Sequence, residues 1–545
     1  MKRIDQRAGL LFACFLALLS IALIRSVWLQ AFRGGEYSAE ARSQQVAEVV
    51  VPGTRGRILD RNGFELAVSD DAATIIATPY QVSDPAATAA KLAEILDVSE
   101  REILETLSER ESGFAYVARK VDLPSAERVR KLQIEGIEIL PDSRRIYPEG
   151  ELASQLIGSV GADNVGLTGL EVSHEEELHG SDGERLLTRD ALGDEISRDT
   201  LAMATTGEDL QLTIDARLQA HTEEVLAGVG QTYTPKGATA IVMDPDTAEI
   251  LALANWPAAD PADIGSSSER EILNRATGFT YEPGSTFKAF TVAGAIDEHL
   301  VTPDTTFTLG PTIQVADRMI EESHAGGGGT LSVADILAQS SNVGAVTIGL
   351  KLGAERYDEW IRAFGFGEPT GSGIPGEEQG ITLDVDEYSG STMGNLPLGQ
   401  GLSVTPMQMM AAYGAIAGDG TLRTPRILAS DEPPEGERVI SEETAGQVRE
   451  MLEGVLAEGG TASEVSVPGY ELAGKTGTSE KAVDGGYSET DYVASFVGFA
   501  PADDPEMLVA VVVDEPRGSY YGGDVAAPAF GEIAKFALPY LEIAP

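Results

Sequence analysis

Three short polar motifs stand out because their residue types could together perform nucleophilic catalysis. In chain order they are Ser285-Thr286-Phe287-Lys288, Ser340-Ser341-Asn342 and Lys475-Thr476-Gly477-Thr478. A serine hydroxyl is a weak nucleophile at neutral pH and needs a neighbouring base to take its proton. A lysine amine can be that base only when it is uncharged, and burial or nearby cations lower its pKa. The motifs therefore predict a serine that is activated by a lysine.

The first motif follows a predicted turn over 281–284, and Ser285 is predicted to open a helix over 286–296. A serine there lies at the positive end of the helix dipole. Lys288, three residues later, lies on the same helical face, within reach of the serine oxygen. Taken alone, these residues fit a helix cap and a solvated lysine equally well. A Ser-x-x-Lys pattern also arises by chance about once or twice in a chain of this length.

The other two motifs are also weak when taken singly. Ser340 can relay a proton, and Asn342 can both donate and accept a hydrogen bond, although a polar helix terminus has the same composition. We expect the third motif to form a strand that lines the site, Lys475 to hold an anion, and Gly477 to let a substrate backbone approach closely. A nearby backbone N–H could help to form an oxyanion hole. The joint presence and order of the three motifs is the stronger signal.

The elements that must position these residues are predicted from hydrophobic patterning. Segments 238–245 and 248–254 predict a hairpin, and 492–499 and 507–513 predict two late strands. A helix over 530–538 is expected to stop at Pro539. Strands, then helices, then strands indicate an α+β domain whose sheet joins both ends of the sequence.

The region 32–207 carries no catalytic constellation. It combines a predicted strand over 47–51 with a helical pattern over 86–107, and 52–63 predicts a tight, hydrogen-bonded structural turn. The run Gly326–Gly329 predicts a flexible connector rather than a phosphate loop, because no Gly-Lys-Ser/Thr follows it.

The N-terminus contains an uncharged apolar stretch over 8–24, preceded by Lys2, Arg3 and Arg7. The basic flank predicts a cytoplasmic N-terminus and an extracytoplasmic remainder, with Trp28 at the interface. The alternative is a cleaved signal peptide. The apolar core of a signal peptide is shorter than this stretch and is followed by small residues at a cleavage site. We therefore expect an uncleaved single-pass anchor.

Composition excludes several classes of function. A formal net charge of −48 repels phosphates, so nucleic-acid binding is rejected, and the acidity is interpreted as a solvated surface. The single cysteine, Cys14, permits no intrachain disulfide. The five histidines are scattered, so we expect no metal, no cofactor and no histidine-dependent triad.

The three motifs resemble the signature of penicillin-binding proteins and serine β-lactamases. Over nearly its whole length the chain resembles the class B penicillin-binding proteins, and most of all their division-specific (FtsI-type) branch. Further segments that carry the resemblance are Arg55 to Gly63, Arg145-Ile146-Tyr147-Pro148, Gly166 to Glu171, Gly399-Gln400-Gly401, Val404-Thr405-Pro406 and Tyr520-Tyr521-Gly522-Gly523.

The resemblance implies an α+β fold, in which a sheet flanked by helices forms the transpeptidase domain after an elongated mixed α/β pedestal. It implies a cytoplasmic tail over 1–7, a transmembrane helix over 8–29, a non-catalytic, dimerisation-like pedestal over 32–207 and a transpeptidase domain over 208–545. The expected location is the bacterial cytoplasmic membrane.

The resemblance also implies a role for each motif residue. Ser285 attacks the carbonyl between two D-alanines of a stem peptide, and Lys288 is the base for acylation. Ser340 and Lys475 move the proton to the departing D-alanine, and Asn342 binds the peptide amide. The remaining roles are the oxyanion hole, made by the backbone N–H groups of Ser285 and Thr478, and contact with the donor carboxylate, made by Thr476 and Thr478.

The expected function is cross-linking of peptidoglycan stem peptides during septal wall synthesis, with β-lactams acylating the same serine. A membrane glycosyltransferase of the SEDS type and division proteins are the expected partners. Three alternatives remain open: a D,D-carboxypeptidase, a β-lactamase, and a non-catalytic scaffold of the wall-synthesis complex. The acceptor amine and the oligomeric state are not determined by these residues.

Overall fold

The computed structural model describes residues 2–29, 46–189, 195–323, 328–431, 436–483 and 486–545. Phe32, where the predicted pedestal begins, lies outside these residues, as do Gly326 and Gly327 of the predicted connector. The chain divides into two compact units. The first comprises Met1–Thr54, Asp71–Ser143 and Gly180–Gly207, and the second comprises Arg55–Asp70, Arg144–His179 and Glu208–Pro545.

The strands of the described residues are β1 (Val46–Val51), β2 (Ile58–Leu59), β3 (Glu65–Ala77), β4 (Ala115–Asp122), β5 (Ile137–Ile146), β6 (Gly183–Arg189), β7 (Glu195–Ala202), β8 (Leu210–Gln211), β9 (Gly237–Met243), β10 (Ile250–Trp256), β11 (Thr306–Leu309), β12 (Thr312–Val315), β13 (Arg318–Glu321), β14 (Gly329–Ser332), β15 (Thr421–Arg423), β16 (Gly436–Arg438), β17 (Ala473–Val483), β18 (Gly486–Ala500) and β19 (Met507–Asp514).

The α-helices of the described residues are α1 (Lys2–Trp28), α2 (Pro85–Ala93), α3 (Glu100–Ser108), α4 (Leu123–Lys131), α5 (Ser154–Ile157), α6 (Gly169–Ser173), α7 (Glu175–Leu178), α8 (Ala216–Tyr233), α9 (Glu269–Ile272), α10 (Arg275–Gly278), α11 (Lys288–Asp297), α12 (Val333–Ala338), α13 (Asn342–Leu352), α14 (Ala354–Ala363), α15 (Pro406–Ala417), α16 (Glu442–Glu453) and α17 (Gly522–Tyr540).

Helix α1 contains the apolar stretch. Its segment Gly9–Trp28 has 20 residues, a mean hydropathy of 2.4 and exposed side chains. At 1.5 Å per residue such a helix is about 30 Å long, which matches the hydrocarbon core of a bilayer. The helix already begins at Lys2, inside the predicted tail. By length and composition, α1 is one apolar N-terminal helix that could cross a membrane.

The first unit contains an antiparallel sheet of order β1-β6-β7, and a separate core of aliphatic side chains that includes Ile75, Leu92 and Ile103. The single helical pattern predicted over 86–107 is two helices, α2 and α3. The Ser99 hydroxyl accepts a hydrogen bond from the Glu102 N–H and thereby caps α3, which starts a new helix instead of continuing the first one.

The second unit is organised around a five-stranded antiparallel sheet of order β10-β9-β19-β18-β17. All side chains of β9 and β19 are buried, so both faces of the sheet centre are covered. Helices α8, α15 and α17 pack against these strands. The predicted hairpin, the two late strands and the sheet that joins both ends of the sequence are confirmed.

The C-terminal helix is longer than predicted. Helix α17 begins at Gly522 and includes both Pro528 and Pro539, whereas the sequence predicted a helix over 530–538. A proline inside a helix leaves the carbonyl four residues earlier without its N–H donor. The Tyr233 hydroxyl donates to the Asp524 carbonyl at 2.9 Å and so replaces the bond that Pro528 cannot make.

A buried ion cluster joins the segments around 55, 145 and 171 within the second unit. The Glu171 carboxylate, with no exposed side-chain surface, accepts hydrogen bonds from Arg55 Nε at 2.9 Å and from Arg145 Nε at 2.6 Å. Arg55 Nη1 also donates to Glu175 Oε2 at 2.7 Å. The arginine-rich segment predicted as a structural turn is therefore held by charge-assisted hydrogen bonds.

Replacing Glu171 with alanine should lower the stability of the second unit by about 3–5 kcal/mol, because Arg145 is left buried without a counter-charge. Differential scanning calorimetry of the full-length chain in detergent would detect the lower melting temperature. Lys535→Ala, which removes an exposed cation from α17, is the control and should melt like the wild type. An unchanged melting temperature for Glu171→Ala would contradict this account of the cluster.

Candidate active site

Ser285 lies in a single 3₁₀ turn, Gly284–Phe287, that continues directly into α11. The Gly284 N–H donates to the Gly399 carbonyl at 3.0 Å, and Gly284 has a φ of +57°, which favours glycine. The α-helix begins at Lys288, two residues later than predicted. Ser285 is half-buried and lines a cleft, so its hydroxyl is accessible.

Lys288 joins the first motif to the second. Its side chain is 1% exposed, and Nζ donates to the Ser340 carbonyl at 2.6 Å, to Ser340 Oγ at 3.2 Å and to Asn342 Oδ1 at 2.7 Å. The sequence predicted that Lys288 would reach the oxygen of Ser285. Among the described residues, the hydrogen bonds of Nζ go to the second motif instead.

The two buried lysines of the site have lowered pKa values. Burial lowers the pKa of Lys288 to about 7, and the carboxylate of Glu322 opposes this shift. Burial and, to a smaller extent, the charge of Lys288 lower the pKa of Lys475 well below its usual range. At neutral pH a large fraction of Lys288 is therefore the uncharged amine that a general base requires.

The second motif is a tight loop between α12 and α13. Ser340 has a φ of +60°, a left-handed conformation that is uncommon for a residue with a side chain. Ser341 is the N-cap of α13, because its hydroxyl accepts from the Gly344 N–H at 3.0 Å. The side-chain amide of Asn342 is oriented by its donation to the Glu321 carbonyl at 2.9 Å. The loop therefore places Ser340 and Asn342 so that both accept hydrogen bonds from Lys288 Nζ.

Glu322 and Thr461 are among the residues that contact the motifs and that the sequence did not single out. The Glu322 carboxylate accepts from the Ser341 hydroxyl and from the Asn342 N–H. The Thr461 hydroxyl lies 2.7 Å from that of Thr476. Neither lies in a recognisable motif, and each is at least fifteen positions from its partner in the sequence.

The third motif lies on a strand, as predicted, and this strand, β17, is at the edge of the sheet. Lys475 is completely buried, and its Nζ donates to the Thr476 carbonyl at 3.2 Å. Thr478 Oγ1 accepts from the Gly522 N–H at 3.0 Å, so the hydroxyl proton remains free to be donated. Thr476 and Thr478 both line the cleft that contains Ser285.

The structure adds a packing reason for glycine at position 477. A Cβ atom there would lie 2.3 Å from Ser495 Oγ, 2.9 Å from the Pro283 carbonyl oxygen and 2.9 Å from Thr286 Cγ2. These atoms belong to the neighbouring strand, β18, and to the segment around Gly284–Phe287 that carries the candidate nucleophile Ser285 (the nucleophile turn). The absence of a side chain at Gly477 therefore allows β17 to pack against the turn that carries Ser285, and the close approach of a substrate backbone stays a prediction.

The cleft has a volume of about 1050 Å³ and brings together residues of all three motifs. Its walls include Ser285, Ser340, Asn342, Thr476 and Thr478. A larger cavity of about 1460 Å³, lined by carboxylates that include Asp60, Asp215 and Glu223, contains none of the motif residues. The accessible serine, the buried amine and the polar strand edge define a serine acyl-transfer site.

Comparisons with known proteins agree with this class. The family model described as "Penicillin binding protein transpeptidase domain" matches residues 238–535, and that of the "Penicillin-binding Protein dimerisation domain" matches residues 50–212. The chain belongs to the class B penicillin-binding proteins, which carry a transpeptidase domain after a dimerisation-type pedestal.

Curated relatives cover nearly the whole chain. Stage V sporulation protein D of Bacillus subtilis is 35% identical over 100% of this chain and 87% of its own length. Peptidoglycan D,D-transpeptidase FtsI of Escherichia coli is 32% identical over 99% of this chain and 93% of its own.

Solved structures share the fold. A peptidoglycan synthetase from Bifidobacterium adolescentis is 29% identical, with a TM-score of 0.73 over 92% of this chain and 97% of that one. Penicillin-binding protein 3 of Mycobacterium tuberculosis, complexed with aztreonam, is also 29% identical, with a TM-score of 0.71 over 91% of this chain and 98% of that one.

Gly477→Ala should slow acylation of Ser285 by a β-lactam by about 100-fold, because the new methyl group displaces β17 from the nucleophile turn. Stopped-flow measurement of acylation by a fluorescent penicillin would test this. Gly486→Ala, at a position in the adjoining hairpin where a Cβ meets no atom within 4 Å, is the control. Wild-type kinetics for Gly477→Ala would show that the packing is not restrictive.

Proposed function

We propose that this chain is a membrane-anchored peptidoglycan D,D-transpeptidase that cross-links stem peptides through a Ser285 acyl-enzyme and is inhibited by β-lactams. One observation carries the proposal: the buried amine of Lys288 is held by Ser340 and Asn342, and both of these residues line the cleft that contains Ser285. The names of the relatives from Escherichia coli and Neisseria gonorrhoeae support a peptidoglycan substrate.

In acylation, the Ser285 oxygen attacks the carbonyl between two D-alanines while neutral Lys288 takes the hydroxyl proton. The C–N bond then breaks, and the proton taken up by Lys288 passes through Ser340 and Lys475 to the departing D-alanine amine, which leaves Lys288 neutral again. The lowered pKa of Lys475 suits a group that passes protons on. The product is an ester between Ser285 and the donor peptide, together with free D-alanine.

In the second half of the reaction, the amine of another stem peptide attacks the ester carbonyl. The new amide bond forms as the Ser285–carbon bond breaks, and the proton of the attacking amine returns to the Ser285 oxygen through Lys288. The enzyme is then unchanged, and one cross-link has replaced one D-alanine–D-alanine bond. Catalysis therefore needs no metal or organic cofactor in either step.

Substrate binding uses the edge of β17 and the second motif. The hydroxyls of Thr476 and Thr478 receive the donor carboxylate, a role supported by the free hydroxyl proton of Thr478. Asn342 binds the peptide amide. The backbone N–H groups of Ser285 and Thr478 stabilise the oxyanion that forms during each attack. Gly477 contributes by allowing the strand and the nucleophile turn to meet.

The proposed setting is the bacterial cytoplasmic membrane. Residues 1–7 form the cytoplasmic tail, 8–29 the single span, 32–207 the pedestal and 208–545 the extracytoplasmic catalytic domain. The length and hydropathy of α1 support the span, and the basic residues before it support the orientation. A SEDS-type membrane glycosyltransferase and division proteins are the proposed partners, contacted through the anchor and pedestal.

A role in septal wall synthesis is supported by similarity to a relative named FtsI and to a sporulation protein. The alternatives make different use of the same acyl-enzyme: a carboxypeptidase or a β-lactamase transfers it to water. A non-catalytic scaffold is disfavoured by the intact contacts between Lys288, Ser340 and Asn342, which a scaffold does not need.

Incubating the full-length chain with fluorescent penicillin should give a stable one-to-one adduct that is absent from Ser285→Ala. Gel fluorescence and intact-mass measurement over time would record it. Ser266→Ala, at an exposed serine outside the cleft, is the matched control and should label normally. An adduct that hydrolyses within seconds would favour a β-lactamase, and no adduct in folded protein would favour the scaffold.

A product assay with stem peptides in place of penicillin separates transfer of the acyl group from its hydrolysis. A transpeptidase should give a cross-linked product whose amount depends on an added acceptor amine. Release of D-alanine without any cross-linked product, at every acceptor concentration, would favour the carboxypeptidase.

Acylation should slow as the pH falls through about 7, because Lys288 must be uncharged to accept the Ser285 proton and its pKa is lowered to about 7. One pH unit below this value about a tenth of the amine remains neutral, so the rate should fall about tenfold. Stopped-flow acylation across this range would measure the midpoint. A rate independent of pH would argue against Lys288 as the base.

A further inference from the structure

Glu322 lies directly after β13 and contacts the middle of the second motif. One carboxylate oxygen accepts from the Ser341 hydroxyl at 2.5 Å, and the other accepts from the Asn342 N–H at 2.8 Å. The side chain therefore uses both oxygens on two consecutive residues at the start of α13. A bidentate, charge-assisted contact of this kind fixes both the position and the orientation of the loop.

The residues that Glu322 holds are interleaved with the residues that hold the base. Ser340 and Asn342 accept from Lys288 Nζ, while Ser341 and Asn342 donate to Glu322. The loop also contains the left-handed Ser340, whose conformation needs support from its surroundings. If the contact with Glu322 is lost, the loop no longer holds Ser340 and Asn342 in the positions where they accept from Lys288 Nζ.

Glu322 also provides an electrostatic link to Lys288. Within the described parts of the chain, two charged groups are electrostatically coupled to Lys288: Glu322, at the end of the β12–β13 hairpin, and Lys475, on β17. The hydroxyl of Ser340 and the amide of Asn342, which contact the amine directly, are neutral. The negative charge of Glu322 favours the protonated form of Lys288 and so partly offsets the effect of burial.

We propose that Glu322 is a positioning residue of the acyl-transfer reaction: through Ser341 and Asn342 its carboxylate holds the loop that orients Lys288, and its negative charge acts on that amine. The inference rests on the proposed function, since it concerns the base of that reaction. A simple helix-capping role is the competing explanation, because an acidic side chain at a helix N-terminus stabilises the helix whatever its effect on a distant lysine.

The test measures acylation of the full-length chain by fluorescent penicillin as a function of pH. Glu322→Gln removes the charge and keeps nearly the same shape. It should lower the plateau rate by about tenfold or more. It should also move the midpoint of the pH profile downward by about 0.5–1 unit, because the loss of a nearby negative charge makes protonation of Lys288 less favourable.

Three further variants complete the design. Asp317→Asn removes an exposed charge from the same hairpin and should match the wild type. Glu322→Asp keeps the charge on a shorter side chain, so it should lower the plateau and leave the midpoint nearly unchanged. Ser341→Ala removes one of the two contacts and retains the charge, so it should also lower the plateau alone.

The outcomes are distinct. A lower plateau with a lower midpoint in Glu322→Gln supports the proposal. A wild-type plateau rate in Glu322→Gln overturns the proposal. A lower plateau rate at an unchanged midpoint also overturns it and assigns Glu322 to helix capping. If Glu322→Gln does not fold, wild-type plateaus in both Glu322→Asp and Ser341→Ala overturn it. If the wild-type chain itself is not acylated, the proposed function fails first.

Discussion

The active site depends on how one lysine side chain is buried. Lys288 is withdrawn from water at the start of α11, where a permanent ammonium charge would be costly. A carbonyl, a hydroxyl and a side-chain amide receive its hydrogen bonds, and all three are neutral. Because none of these three partners is a carboxylate, the charged form of the amine is only weakly favoured. The balance leaves the pKa near neutrality, which is where a general base is most effective.

The ion cluster of the same unit illustrates the opposite choice. Arg55 and Arg145 are almost as deeply buried as Lys288, but a guanidinium stays charged at any physiological pH. Their donors accordingly meet the carboxylates of Glu171 and Glu175. The carboxylate partners of the two arginines stabilise guanidinium groups that stay charged, and the result is a structural cluster. The neutral partners of Lys288 let its amine exist with or without a proton, as a general base must.

Close approach of backbone segments is the second requirement of the site. The edge strand β17 can lie against the nucleophile turn only because Gly477 has no side chain there. On the other side of the turn, a Cβ on Gly399 would lie 2.2 Å from the Gly284 carbonyl oxygen. The segment that carries Ser285 therefore contacts two segments that both lie more than one hundred residues further along the chain, so the site forms only when the domain folds.

The sequence by itself determined the motif residues, the hairpin of β9 and β10, the strand with Lys475 and the apolar N-terminal helix, because these follow from local periodicity and residue type. Tertiary structure decided which atoms accept the hydrogen bonds of Lys288, which atoms pack against Gly477, and that Glu322 contacts the second motif. It also decided that α17 continues through Pro528, where Tyr233 supplies the missing donor. Such contacts join residues far apart in the chain, and their partners are set by packing, which no local pattern encodes.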